Sequence, residues 1–276
     1  MKLLGVVVLF YPKLDVWDNI KTYIEEIDKL IVWCNSPVEV IPLPKEQFIV
    51  MGDGQNVGIG KALNEAVLYG INNGYTHLLT MDQDSSFVLN SFSSYKFGVD
   101  NCLDDKMLWF SPEVYDDYSK DLASDTIDDI SYAITSGSIY NIEIFKKMGF
   151  FKDDFFIDAI DTEFSFRIKE CDWKIGRVKM GKLKHCLGDR ISVPFLWGRL
   201  VSLNYSSIRT YYIIRNHIVL KKMYPNFCLC SFLKEMFFRR FVRILLIETD
   251  KVSKIKFMFL GVYHGWINKL GKYELL

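Results

Sequence analysis

Two aspartates, Asp82 and Asp84, stand one residue apart at the end of an apolar run in the segment LLTMDQDSS (78–86). Alternate residues of a strand point to the same side, and ligands of open α/β sheets bind at the carboxyl ends of the strands. Carboxylates at that position suit a hard divalent cation that also holds a diphosphate. A solvated turn is the alternative, because Asp and Ser are common turn residues.

A glycine-rich segment, GDGQNVGIG (52–60), precedes Lys61. It predicts a tight turn that opens a helix, where backbone N–H groups and a lysine can approach a phosphate. It is not a P-loop, because Gln55 stands where the first glycine belongs and Ala62 replaces the Ser or Thr. A plain strand-to-helix turn fits this segment equally well.

A third cluster lies in FFIDAIDTEFSFRIKECDW (155–173), where Asp158, Asp161, Glu163 and Arg167 follow one another closely. Four apolar residues at four-residue spacing predict a buried helical stripe: Phe156, Ile160, Phe164 and Ile168. The acids therefore stand near the front of a helix, where capping is the structural alternative. Three carboxylates exceed what a cap requires, so one of them is a candidate general base.

The elements that must position these residues alternate between strand and helix. Strands are predicted at 3–10, 29–35, 48–51 and 77–82, and helices at 16–27 and about 61–72. Continuous apolar strands separated by helices are typical of a mostly parallel sheet in a nucleotide-binding α/β fold. The region of about 100–130 reads as acidic and loop-like, and helical spacing dominates from Ile142 onward.

The composition narrows the function classes. Of 276 residues, half are hydrophobic, and 34 basic side chains balance 34 acidic ones. The net charge nevertheless differs between two parts of the chain. Residues 221–276 carry 11 basic and 4 acidic side chains, and the rest of the chain is acidic. An acidic body argues against nucleic-acid binding, which needs a basic surface.

The cysteine pattern and the apolar runs predict a cytoplasmic location. The six cysteines form no CxxC pair and are expected to be reduced. The N-terminal apolar run stops at Tyr11-Pro12 without a cleavage site, so it reads as a strand rather than a signal peptide. No run of about 18 uncharged apolar residues predicts a membrane span.

The basic tail contains FLKEMFFRRFVRILLI (232–247), which reads as an amphipathic helix. Arg239, Arg240 and Arg243 share one helical stripe, beside a wide apolar face of Phe237, Phe238, Phe241, Ile244 and Leu245. Such a helix suits an anionic membrane surface. The alternative is a helix packed on the domain with its arginines in solvent.

In chain order, the segments VVVLFYP, IVWCNS, NVGIGKALN, LLTMDQDS, TSGSIYNIEIFKKMGFF, FIDAIDTEFSFR, HCLGDR and YYIIRNH resemble the family 2 inverting glycosyltransferases. Within that family they resemble the bacterial rhamnosyltransferase-like branch, over about residues 3–222. The resemblance implies a GT-A fold of the α/β class, with a mixed, mostly parallel sheet flanked by helices. It implies a catalytic domain at 1–220, and we expect 221–276 to form a helical, basic, membrane-associating extension.

The resemblance also implies roles. Asp82 and Asp84 match the D-x-D motif that holds Mg²⁺ or Mn²⁺ and the donor diphosphate, with Gln83 between them. His185 matches a histidine that often completes the metal site, although a lone histidine is otherwise read as an ordinary hydrogen-bonded one. Asp161 falls at the position of the catalytic base.

Further positions are expected to border the substrates. Tyr11, Asn35 and Lys61 lie in loops beside the nucleotide, and Gly137 belongs to a segment that passes close to the donor sugar. The acceptor-side candidates are Asp158, Glu163 and Arg167. One departure from the family pattern is Cys34, where an aspartate usually contacts the base or ribose.

The implied reaction is a single displacement that inverts the anomeric centre. The donor is a dTDP- or UDP-linked sugar, rhamnose or another hexose, and the acceptor is a lipid-linked oligosaccharide of bacterial O-antigen or capsule synthesis. The enzyme is expected to be peripheral on the inner face of the cytoplasmic membrane. Two alternatives remain open: a sugar-nucleotide nucleotidyltransferase, whose G-x-G-T-R-like loop is not seen near Tyr11, and a non-catalytic sugar-nucleotide-binding protein, which Cys34 favours.

Overall fold

The computed structural model describes residues 1–115, 126–185, 191–195, 198–226 and 234–274. The chain divides into two compact units. The first contains Met1–Asp153 and Asp161–Cys186, and the second contains Asp154–Ile160 and Leu187–Leu276. The rest of the HCLGDR motif after His185, and the start of the predicted tail helix before residue 234, lie outside the described residues.

The first unit begins with four strands, β1 (Leu3–Leu9), β2 (Lys29–Cys34), β3 (Phe48–Met51) and β4 (His77–Asp82). β1 pairs in parallel with β2 and β4, and β2 pairs in parallel with β3. The residues of β1, β2 and β4 are almost all buried, as expected for parallel strands covered on both faces. Helices α1 (Val16–Lys21) and α2 (Ile59–Asn72) lie between these strands in the chain.

The same sheet continues with β5 (Ser85–Phe87), β6 (Met107–Tyr115), β7 (Ile127–Ile130), β8 (Ser138–Asn141) and β9 (Lys174–His185), and the unit adds α3 (Ser91–Asp100), α4 (Glu143–Met148) and α5 (Ile160–Glu170). The strand order is β3-β2-β1-β4-β8-β6-β9-β5, and β7 pairs with β9. β8 is antiparallel to β4 and β6, whereas β9 is parallel to β6. The predicted fold class, a mixed, mostly parallel α/β sheet flanked by helices, is confirmed.

Two parts of the sequence prediction are wrong. The described residues of the region of about 100–130, which are 100–115 and 126–130, are not mainly loop, because they contribute β6 and β7. Helical spacing does not describe everything after Ile142, because the 12-residue strand β9 follows. β9 alternates lysine with buried Val178 and Leu183, which is the period of a strand with one solvated face.

The second unit contains a hairpin of β10 (Ile191–Phe195) and β11 (Gly198–Ser202), then α6 (Ser207–Met223), a π-helical turn (Lys234–Arg239), α7 (Arg240–Leu246) and α8 (Lys251–Trp266). α8 packs closely on α6 through two glycines. A Cβ on Gly261 would lie 2.7 Å from the backbone oxygen of Tyr211, and one on Gly265 would lie 2.9 Å from that of Arg215. Any larger side chain at these glycines would push the two helices apart.

The tail helix differs from its prediction at one arginine. Arg240 is buried, and its Nη2 donates to Thr210 Oγ1 at 2.8 Å, while its guanidinium lies over the ring of Tyr205. The predicted stripe of Arg239, Arg240 and Arg243, which would meet either a membrane or solvent, is therefore wrong for Arg240. Sequence periodicity places a residue on a face, but it does not show that a neighbouring element covers that face. The separate roles of 1–220 and 221–276 stay a prediction.

Among the described residues, no helix is both long enough and apolar enough to cross a bilayer.

Candidate active site

The carboxyl ends of β1, β2 and β4 meet at one edge of the sheet, because these strands are parallel neighbours. Asp82 is the last residue of β4. Gln83 then ties this edge to the end of β1: its Oε1 accepts from the Phe10 N–H at 2.8 Å and its Nε2 donates to the Phe10 carbonyl at 3.1 Å. The side-chain amide of Gln83 thus continues the β1–β4 pairing past the last strand residue. It thereby fixes the position of the chain at Asp84, the next residue.

Asp82, Asp84 and His185 come together at this edge. One ligand atom from each lies within 4.8 Å of the others. Asp84 Oδ1 is 3.8 Å from His185 Nδ1, and the Asp84 side chain is half exposed. His185 follows Asp84 by about a hundred residues, and the sheet topology explains why the two side chains lie together. β5 starts right after Asp84 and pairs antiparallel with β9, which places Ser85 opposite His185.

Two serine hydroxyls hold this histidine in place. Ser85 Oγ lies 2.7 Å from His185 Nδ1. Ser136 Oγ donates to Ser85 Oγ at 2.8 Å and accepts from the backbone N–H of Asp82 at 3.2 Å. The chain of hydrogen bonds therefore runs from the Asp82 backbone to the imidazole and orients it toward the carboxylates, as supporting residues do around metal sites.

The donor set fits a divalent cation. Two carboxylates held this close repel each other, and a cation between them removes that cost. An imidazole beside two carboxylates suits Mn²⁺, which accepts nitrogen ligands, better than Mg²⁺, which prefers oxygen throughout. The structure thus brings together all three residues that the sequence predicted as metal ligands.

Asp161 lies in the first turn of α5. Its Oδ2 accepts from the Tyr132 hydroxyl at 3.0 Å, and its Oδ1 accepts from the backbone N–H of Thr162 at 2.7 Å. Burial raises the pKa of the Tyr140 phenol well above its ordinary value, and the carboxylates of Asp161 and Asp82 raise it further. Both carboxylates therefore lie near enough to one buried phenol to act on its pKa.

The other two carboxylates of this cluster are bound by arginines. Glu163 is buried and forms a two-point ion pair with Arg167, whose Nη1 also donates to the carbonyls of Met148 and Phe150 at 2.8 Å. Asp158 belongs to the second unit and accepts from Arg209 at 3.2 to 3.3 Å. Glu163 and Arg167 thus anchor the segment after α4, and a role toward the acceptor stays a prediction for all three residues.

Of the residues predicted to border the nucleotide, Tyr11 and Asn35 follow the first two strands, and Lys61 lies in a helix rather than in a loop. Tyr11 is 70% exposed in the loop after β1, and Lys61 is exposed in the first turn of α2. Asn35 is buried instead, where its Oδ1 accepts from the Trp33 indole at 3.0 Å and the Val57 N–H at 3.3 Å, so it holds the glycine-rich loop. Burial raises the pKa of the Cys34 thiol, so this residue supplies no negative charge in place of the family's aspartate.

The backbone conformation and the close packing at Gly137 require a glycine at this position. Its φ is +76°, and a Cβ there would lie 2.7 Å from Pro112 Cγ and 2.9 Å from Leu183 Cδ2. Its N–H donates to the Thr80 carbonyl at 2.8 Å, which ties the segment to β4. The glycine allows this loop to pass tightly beside the end of β4, and its contact with the donor sugar stays a prediction.

Sequence reasoning did not identify Tyr132 and Ser85. Tyr132 stands in SYAITSGS, and Ser85 follows the D-x-D as one of two adjacent serines. Only the pairing of β5 with β9 and the loop before β8 show what these hydroxyls contact. An alternating, lysine-rich segment at 174–185 was the one signal that could have placed His185 on a strand beside the D-x-D.

Comparison with known proteins supports the resemblance. No protein-family model matches the chain. The dTDP-rhamnosyl transferase RfbF of Shigella flexneri is 23% identical over 288 residues, which cover 92% of this chain and 90% of that protein.

Solved structures show the same fold at low sequence identity. A TarS fragment from S. aureus in complex with UDP-GlcNAc matches with a TM-score of 0.59 and 13% identity, over 96% of this chain and 81% of that one. GalNAc-T7 with UDP, GalNAc and Mn²⁺ matches with a TM-score of 0.58 and 11% identity over 80% of this chain, which spans only 47% of that longer protein. The chain therefore has the GT-A fold of these solved glycosyltransferase structures, and along nearly its whole length it is similar to a curated rhamnosyl transferase.

Proposed function

We propose that this protein is an inverting glycosyltransferase that moves rhamnose or another hexose from a nucleotide-diphosphate donor to a glycan acceptor. The donor is dTDP- or UDP-linked, as in the names of the curated relative and the TarS complex. Asp161 is the general base, and Asp82, Asp84 and His185 hold a divalent cation, preferably Mn²⁺. The acceptor is a lipid-linked oligosaccharide of bacterial surface polysaccharide synthesis, O-antigen or capsule, which would bring the enzyme to the inner face of the cytoplasmic membrane.

One observation carries this proposal: a single loop contacts both parts of the site. Ser136 accepts from the backbone of Asp82, and Tyr132, four residues earlier, donates to Asp161. Ala133 N–H also reaches Ser165 Oγ on α5 at 3.4 Å. The loop therefore fixes the candidate base relative to the D-x-D, as a displacement at one carbon between two oxygens requires.

The reaction follows from these positions. Asp161 takes the proton from an acceptor hydroxyl while that oxygen forms a bond to the anomeric carbon. The bond from this carbon to the diphosphate oxygen breaks on the opposite face, and the nucleoside diphosphate leaves with the electron pair. Tyr132 and Thr162 orient the Asp161 carboxylate toward the proton it accepts. A bound cation would supply positive charge to the departing diphosphate.

Product analysis with purified protein tests the proposal. Wild type with Mn²⁺, donor and acceptor is expected to release dTDP or UDP and to give a product of inverted anomeric configuration by NMR. Asp161→Asn should lower turnover by roughly 10²–10⁴-fold with donor affinity little changed. Glu170→Gln, an exposed acid on the same helix, is the matched control and should keep wild-type turnover.

The alternatives give different results. A nucleotidyltransferase would release pyrophosphate from a nucleoside triphosphate and a sugar phosphate. A non-catalytic binding protein would bind the donor without hydrolysing or transferring it. Retention of configuration, or unchanged turnover in Asp161→Asn, would contradict the proposed mechanism.

A further inference from the structure

The outer face of α8 carries a row of exposed side chains that we call the outer stripe: Val252, Lys256, Phe259, Tyr263 and Trp266. The four apolar members are 84%, 55%, 59% and 74% exposed, in that order. Their spacing alternates between four and three residues, so with 3.6 residues per turn they share one side of the helix. Three of the four are aromatic.

The opposite face of α8 combines two glycines with the larger buried side chains of Lys254, Met258 and His264. Gly261 and Gly265 pack against the backbone of α6, and Met258 is fully buried near them. A helix at the surface of a water-soluble domain normally turns its large apolar residues inward. α8 packs Phe257 and Met258 inward, but it leaves three further aromatic residues exposed: Phe259, Tyr263 and Trp266. The aromatic residues are thus placed where they meet whatever lies outside this unit.

The apolar surface extends beyond α8. The ring of Phe237 lies 6.2 Å from that of Phe259, and the adjacent Phe238 is 63% exposed. Apolar patches of this kind on a protein surface mark sites of interaction rather than ordinary solvent-facing surface.

The charge near the outer stripe indicates the partner. The segment 251–266 contains no acidic residue, and Lys256 lies within the stripe. Lys222 Nζ lies 5.7 Å from the ring of Trp266 at the end of the helix. A second copy of this surface would bring lysines against lysines, whereas phospholipid headgroups of negative charge complement them. Trp and Tyr are also the residues that favour the boundary between water and lipid.

We propose that the outer stripe of α8 docks this protein on an anionic membrane surface. The helix lies along the membrane plane, with Phe259, Tyr263 and Trp266 in the boundary between headgroups and acyl chains and Lys256 at the phosphates. This surface replaces the arginine stripe predicted from the sequence, in which Arg240 proved to be buried. Membrane docking requires no sugar transfer, so it can be tested independently of the proposed reaction.

Vesicle co-sedimentation tests the docking without donor or acceptor. Wild type should bind vesicles of phosphatidylcholine with phosphatidylglycerol more strongly than vesicles of phosphatidylcholine alone, and added salt should weaken the binding without abolishing it. The triple variant Phe259→Ser, Tyr263→Ser and Trp266→Ser should bind at least about tenfold more weakly. Its thermal unfolding midpoint should stay close to that of wild type, because these side chains are exposed.

Matched controls separate the stripe from general surface effects. Phe259→Glu should reduce vesicle binding, whereas Phe97→Glu, at a 64% exposed phenylalanine of α3, should not. Lys256→Glu should weaken binding to anionic vesicles more than Lys45→Glu at another exposed lysine.

Three results would overturn the proposal. The first is a wild type that does not bind anionic vesicles, and the second is a triple variant that binds as wild type does. The third is a wild-type dimer in sedimentation velocity that the triple variant converts to a monomer, which would assign the outer stripe to a second copy of the chain.

Discussion

Both units hold carboxylates close to other ionisable side chains, but the charge of those neighbours differs between the two units. In the second unit, Glu248 and Lys254 form an ion pair whose side chains are only 1% and 3% exposed, and Glu248 also accepts from Ser202. In the first unit, Asp82 and Asp84 hold ligand atoms close together at a partly exposed edge, beside an imidazole. Opposite charges paired in the interior compensate each other, and removing either one destabilises the fold. Like charges held together at an open edge cost stability and are suited to binding a cation.

The same contrast separates neighbouring carboxylates on α5. Glu163 is buried against Arg167, while Asp161 accepts hydrogen bonds from Tyr132 and Thr162. The ion pair of Glu163 with Arg167 holds the segment around Met148 and Phe150, whereas the contacts of Asp161 suit the general base that we propose. Which residues a carboxylate contacts therefore distinguishes a structural role from a chemical one better than its position in the sequence does.

The largest effect is expected from breaking the buried pair. Lys254→Met leaves the Glu248 carboxylate buried without its cation, so it should lower the free energy of unfolding by about 3–5 kcal/mol. Urea denaturation measures this loss. The double variant Lys254→Met with Glu248→Met should recover most of it, and a single variant as stable as wild type would contradict the structural assignment of the pair.

The second effect concerns acid stability. Burial lowers the pKa of His217 to about 4, and its Nδ1 lies 2.7 Å from the Ile213 carbonyl, which can only accept, so Nδ1 carries the proton of the neutral ring. Above pH 6.5 the ring is neutral in both states. As the pH falls from about 6.5 to 4, the imidazole binds a proton in the unfolded state but not in the folded state. The free energy of unfolding therefore falls by about 3 kcal/mol.

His217→Gln checks this prediction, because an amide can donate to the same carbonyl without titrating. Its unfolding free energy should change less between pH 7 and pH 4.5 than that of wild type. An equal loss in both proteins would assign the acid sensitivity to other groups, among them His77 on β4, whose pKa burial also lowers to about 4.

A smaller effect is expected from the serines behind the site. Ser85→Ala removes the hydroxyl that lies 2.7 Å from His185 Nδ1, and the imidazole should lose its fixed orientation. Mn²⁺ affinity measured by calorimetry should fall roughly 10- to 100-fold, as for other supporting residues of metal sites. Ser111→Ala, at another buried serine of the sheet, is the control and should bind Mn²⁺ as wild type does.

The smallest expected effect is a gain of stability, in contrast to the loss expected from breaking the pair of Glu248 and Lys254. Without metal, Asp84→Asn relieves the repulsion from Asp82 and should raise the free energy of unfolding by about 0.5 kcal/mol, a small value because Asp84 is half exposed. Thermal unfolding in EDTA measures it. A clear loss of stability would mean that Asp84 has a structural role like that of Glu248.

The first four strands and the D-x-D could be predicted from the sequence because buried parallel strands appear as continuous apolar runs. β9 was not predicted, because its alternating lysines leave only a weak apolar signal, and with it the strand position of His185 was missed. Asp161 and Glu163 are two residues apart and chemically alike, so only the contacts with Tyr132 and Arg167 separate them. Likewise, the burial of Arg240 depends on Thr210, a residue 30 positions away.

A Mn²⁺ titration of wild type and Asp84→Asn in the presence of UDP or dTDP tests the central claim most directly. Calorimetry should show that wild type binds Mn²⁺ together with the nucleotide and that Asp84→Asn loses this metal-dependent binding, while its circular dichroism spectrum is unchanged. If Asp84→Asn keeps wild-type affinity for Mn²⁺ and for the nucleotide, the edge formed by Asp82, Asp84 and His185 is not the metal site.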